Sequence, residues 1–226
     1  MTSPAGHGRP AADAVVPDPD ASYERAAAEP YADLRERAVV SAQIGRPARG
    51  ASAVVHRCVF GLPTVVRVDP RLDDDTPFPT VFWQTCPALR SRIGTLEADH
   101  AMVGLNQRLA DDPDFASAYA EGHDRYVAFR DDLGGPLPGD PGAGGMPKHV
   151  KCLHVHAGHY LATGDNPVGE WAIEHARPVF CPGPCVDEDD IAQYEGELVE
   201  RGFVASDDVF TPQAGNAGPS PLRGEE

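Results

Sequence analysis

Residues 51–89 read ASAVVHRCVFGLPTVVRVDPRLDDDTPFPTVFWQTCPAL, and the alternation of β-branched runs with turn residues in this stretch decides the fold class. Three runs, ASAVVHRCVFG, TVVRVDP and PFPTVFWQTCP, are rich in Val, Thr, Phe and Trp, the residues that pack well on a pleated surface. Gly61-Leu62-Pro63 separates the first two and Asp73-Asp74-Asp75 the second and third, so the segment predicts three short strands joined as an antiparallel meander. On either side the apolar spacing changes to the helical period. YADLRERAVVSAQIG, from Tyr31, places Leu34, Ala38 and Ile44 near helical spacing and stops at Gly45. Pro87 suits the first position of a helix running to about Ala110, with Leu89, Ile93, Leu96, His100 and Val103 on one face. DDPDFASAYAEGHDRYVAFRDDL opens on acidic residues and a proline and aligns Phe115, Tyr119, Gly122, Tyr126, Phe129 and Leu133. A Gly/Pro loop over 134–146, a histidine-rich segment, a short helix around Trp171 and an acidic helix near 188–201 complete the chain. The expected fold is α+β: a small three-stranded antiparallel sheet over residues 53–86, packed against four or five helices.

The 226 residues suffice for one domain, expected from residue 30 to 204. Residues 1–29 and 205–226 are rich in small and polar residues with little apolar periodicity and are expected to be disordered tails. The net charge of −16 is uneven: residues 187–226 hold 11 acidic and 2 basic side chains, a solvated acidic end. With no basic stripe, nucleic acid is not an expected ligand. No apolar run approaches the roughly 20 residues that cross a bilayer, and no basic segment precedes an apolar one, so a cytoplasmic protein without a membrane partner is expected. Five cysteines in a reducing compartment favour free thiols or metal ligands over disulfides. Seventeen arginines against two lysines, Lys148 and Lys151, point to a high-GC bacterial genome.

The chemistry concentrates in GGMPKHVKCLHVHAGHYLATG, residues 144–164, which holds His149, Cys152, His154, His156 and His159. As a helix from about residue 149, with about 100° per residue, Cys152, His156 and His159 share one side and His154 points with the apolar face. As a strand, Cys152, His154 and His156 share a face. Either way thiolate and imidazole are the ligands that zinc prefers, and Cys58 or Cys86 would add a further donor. Cys86, between a strand and a helix, is a second candidate: the positive end of a helix lowers a thiol's pKa. Arg57, Lys148 and Lys151 would line an anion pocket beside the cluster. Cys181 and Cys185 in CPGPC lack a matching second pair and are expected as surface thiols.

The motifs RCVFGLPTVVRVDPRL, TPFPTVFWQTCPAL, GGMPKHVKCLHVHAGHYLA and NPVG, in this order and spacing over about residues 43–175, resemble the bacterial domain-of-unknown-function family 501. The resemblance implies a bacterial, cytosolic protein and carries no activity with it. It also implies that Cys58, Cys86, Cys152, His154 and His159 occupy family positions, whereas His156 stands where an apolar residue is usual. Three functions are therefore expected. The first is a Cys/His metal centre, zinc by preference, hydrolytic toward a small anionic substrate if one coordination position is open. The second is a metal-free scaffold for a protein partner, linked to cell division. The third is a thiol enzyme using Cys86.

Overall fold

The computed structural model describes residues 19–72 and 74–203. Among these, eight helices and three strands follow in the order α1 (Pro19–Ala28), α2 (Leu34–Ile44), β1 (Ser52–Arg57), β2 (Pro63–Val68), β3 (Phe82–Gln84), α3 (Pro87–Ala98), α4 (Ala101–Asp111), α5 (Pro113–Gly134), α6 (Leu153–Thr163), α7 (Pro167–Ala176) and α8 (Glu188–Glu200). The strands form one antiparallel sheet with β2 in the centre, so the α+β class and the meander are as the sequence predicts. Among the described residues no helix is long and apolar enough to cross a membrane.

All six residues of β2 are buried, because helices cover both faces of the sheet. Such a strand reads as a near-continuous apolar run, hence VVRV rather than an apolar–polar alternation. Val65 and Phe82 belong to the main core with α5, α6 and α7, while Val54, Val66 and Val68 pack against Val40 of α2. Arg67 interrupts the run, and its guanidinium is satisfied in part: Nε has no hydrogen-bond partner among the described residues. Its Nη1 donates to the carbonyls of Ala26 (2.8 Å) and Ala27 (2.6 Å) and so closes the C-terminal end of α1, where backbone acceptors lack helical partners.

Three differences from the expected helices have local causes. α1 lies within the stretch 1–29 expected as a tail; Tyr23 and Ala26 are buried in the main core, which holds this Ala-rich helix in place. Residues 1–18 and 205–226, also expected as tails, lie outside the described residues, as does residue 204 at the expected end of the domain. The expected single helix from Pro87 to Ala110 is two, because His100 takes a left-handed conformation (φ 59°) between α3 and α4. Val103 consequently points to solvent instead of sharing a face with Ile93. The helix of the histidine-rich segment begins at Leu153 rather than near His149, with Cys152 extended before it. The total is therefore eight helices among the described residues, not four or five.

α6 is the helix that the rest encloses. Its Gly158 lies against β3, where an added Cβ would come within 2.8 Å of the Phe82 carbonyl oxygen. Gly169 of α7 lies as tightly against α6: a Cβ there would meet the His156 carbonyl oxygen at 2.0 Å. Only glycine permits both approaches.

Candidate functional site

The approach to α6 is fixed by hydrogen bonds across the loop before it. Lys151 N donates to Gly144 O (2.7 Å), and Val150 N donates to Asn106 Oδ1 (2.9 Å) from α4. Cys152 therefore reaches the N-cap position in extended conformation (φ −147°, ψ 110°), yet its side chain makes no capping hydrogen bond. The cap comes from another helix. Glu97, in the last turn of α3, accepts from Leu153 N through Oε1 at 2.6 Å. The same oxygen lies 3.2 Å from His154 Nδ1, and His154 Nε2 donates to the Arg90 carbonyl at 3.0 Å.

One carboxylate oxygen of Glu97, the Cys152 sulfur and one ring nitrogen of His154 thus all lie within 4.8 Å of one another; among the described residues this is the one group of three potential metal ligands so placed. The side chains of Glu97 and His154 are 24% and 29% exposed, so the group opens to solvent while keeping its shape. Hydrogen bonding with Cys152, reinforced by the Arg90 carbonyl and the negative charge of Glu97, overcomes burial and pushes the His154 pKa up to about 9. Without a metal the ring is then an imidazolium at neutral pH, donating from both nitrogens. The Nε2 bond to a backbone carbonyl also fixes which nitrogen faces Glu97 and Cys152, the arrangement that orients a metal-ligating histidine.

The structure places the remaining expected site residues elsewhere. His156 and His159 are fully buried and belong to a closed polar chain. Asn166 Oδ1 accepts from Gly169 N (2.8 Å), so Asn166 Nδ2 is the donor to His159 Nδ1 (3.0 Å) and to His156 Nδ1 (3.3 Å). Both rings then carry their proton on Nε2, which His159 directs at the Tyr23 hydroxyl and His156 at the Gly144 carbonyl (3.2 Å). Burial holds the pKa values of His156 and His159 down, to about 4 and about 3. These are neutral core histidines with both nitrogens in use. The helical trio of Cys152, His156 and His159 does not form, because the late start of α6 turns Cys152 away from the other two.

Cys86 is the buried N-cap of α3. Burial pushes its thiol pKa up and outweighs the backbone N–H groups of Leu89 and Ala88, the reverse of the expected lowering. Cys58 is half-buried in the β1–β2 turn, where its backbone bonds Leu62 O (2.9 Å), and it is not part of the Glu97 group. Arg57 pairs with Glu36 and donates to Gly61 O (3.1 Å). Lys148 and Lys151 are exposed in the loop that leads to Cys152.

Glu97 was not expected in the site. A trace of it is nevertheless present in the sequence: an acidic side chain in the last turn of a helix opposes the negative end of the helix dipole, so it calls for a partner elsewhere.

Residues 54–174, more than half of the chain and inclusive of Glu97, Cys152 and His154, match a protein-family model described as "Protein of unknown function (DUF501)". No curated protein and no solved structure matches the chain.

Proposed function

We propose, for a chain that belongs to the DUF501 family of proteins of unknown function, that Glu97, Cys152 and His154 hold a divalent cation of the zinc class. The observation that carries this reading is the convergence of thiolate, imidazole and carboxylate from two helices on one point, with the imidazole already oriented from behind by a backbone carbonyl. Two anionic ligands balance a doubly charged ion, so a half-buried site keeps no uncompensated charge. Three protein ligands leave one position open, and a bound ion would supply there a polarising centre for water or for a small anion. Lys148 and Lys151 stand in the adjoining loop for the negative charge of such a substrate. A reducing, cytoplasmic setting would keep Cys152 in its thiol form.

A second reading has its own observation. The cationic His154 beside Cys152 is also the pairing that activates a cysteine nucleophile, with Glu97 as the group that orients the histidine. In that case the thiol chemistry resides at Cys152 rather than at Cys86.

Titration of the full chain, purified without a histidine tag, with Co²⁺ distinguishes the two. The metal reading predicts one equivalent bound with a thiolate-to-cobalt charge-transfer band, and loss of that band in Cys152→Ser and His154→Ala while circular dichroism stays unchanged. A chain that shows no such band at saturating Co²⁺, and in which Cys152 is alkylated by iodoacetamide well ahead of the other four cysteines, establishes the nucleophile instead.

A further inference from the structure

The face of the sheet turned away from α6 carries a cavity of about 420 Å³, within the range of small-molecule sites. Its walls are Val40 and Ile44 of α2, Val66 and Val68 of β2, and Leu72, Phe78 and Trp83. Phe78 and Trp83 pack with ring centroids 5.5 Å apart at one side. One polar side chain is buried in this lining. Ser52, at the start of β1, is 3% exposed, and its Oγ has no hydrogen-bond partner among the described residues. A buried hydroxyl left unpaired is costly, so it marks a place where a ligand atom would be welcome. At the rim stand Arg46 and Arg49, both exposed. Arg49 pairs with Asp74 at 2.9 Å, but both partners are more than half exposed, and a pair of this kind is weak enough to yield to a competing anion.

We propose that this cavity binds a small amphipathic anion, an acyl carboxylate whose chain lies between α2 and the sheet and whose head group meets the two arginines. Apart from the Ser52 hydroxyl, which the head group takes as a further donor, the walls offer aliphatic and aromatic surface, which suits a chain that asks for no hydrogen bonds and excludes a nucleotide base, whose polar edge would be left unpaired. The guanidinium pair supplies the planar donors that a carboxylate takes in bidentate fashion. The site is independent of Glu97, Cys152 and His154, which lie on the α6 side of the sheet.

Trp83 provides the readout. The chain has two tryptophans, so Trp171→Phe leaves Trp83 as the reporter inside the cavity. Decanoate below its micellar concentration is titrated into this variant with fluorescence detection, beside decyltrimethylammonium as the cation of matched chain. The expected result is a saturable one-to-one change with decanoate, weakened roughly tenfold or more when Arg46→Glu and Arg49→Glu are combined, and weakened less by Ser52→Ala. Both arginines are on the surface, so the double variant should fold; an unchanged circular dichroism spectrum verifies it. Equal binding of the cationic amphiphile, indifference to the double charge reversal, or no saturable Trp83 response would each overturn the proposal.

Discussion

His159 is neutral in the fold because burial holds its pKa down to about 3, whereas an unfolded histidine titrates near 6.5. Protonating the folded ring would also place a second N–H against Asn166 Nδ2, which is itself a donor. The sign of the effect follows. The unfolded chain takes up the proton first, so stability is fully present above about pH 6.5 and is lost as pH falls below it, until the folded ring also titrates. At pH 5 the gap of about 1.5 pH units below 6.5 corresponds to about 2 kcal/mol from this one residue. His159→Gln removes the titration and retains a polar side chain. Urea unfolding of the metal-free protein, followed by far-ultraviolet circular dichroism at pH 7 and pH 5, should show wild type losing about 2 kcal/mol more than the variant over that interval. His156, equally buried, is present in both chains and cancels in the difference. Parallel stability profiles for the two proteins would refute the argument that a neutral, buried His159 is built into the fold.

Gly158→Ala should destabilise by about 1–2 kcal/mol, since overpacking against the Phe82 carbonyl outweighs the gain of about 1 kcal/mol that alanine brings to a helix. Gly196→Ala in α8, where a Cβ meets nothing within 4 Å, should instead stabilise by up to about 1 kcal/mol; thermal unfolding of the two variants checks the opposite signs. Arg67→Met removes the donors that close α1, and hydrogen exchange followed by mass spectrometry should show faster exchange over residues 19–28 with the α5–α6 core unchanged.

The sheet was legible because its information is local: β-branched runs, the Gly-Leu-Pro turn and the acidic turn each act within a few residues. α2 was legible for the same reason, from the helical spacing of Leu34, Ala38 and Ile44 to the left-handed Gly45 that ends it; its Asp33 cap, which accepts from Glu36 N, is equally local. The site was legible in part. Cys152 and His154 stand in the segment that draws attention, but which of its histidines face outward depends on where α6 begins. That boundary is set by Asn106 on α4 and Glu97 on α3, neither of which leaves a periodic mark in the sequence. The break at His100 is equally silent, because the apolar spacing from Leu89 to Val103 suits one helix as well as two.

Arg67 and Tyr23 together set an order on how this chain can be completed. The hydroxyl of Tyr23 rests on a ring 136 positions further along, and the carbonyls at the end of its helix rest on the middle strand. During synthesis the opening helix leaves the ribosome well before either support exists, and ten residues alone hold helical shape poorly in water. The segment that is made early is thus seated late, and a nascent chain stalled before α6 would expose to chaperones and proteases a first helix with nowhere to dock.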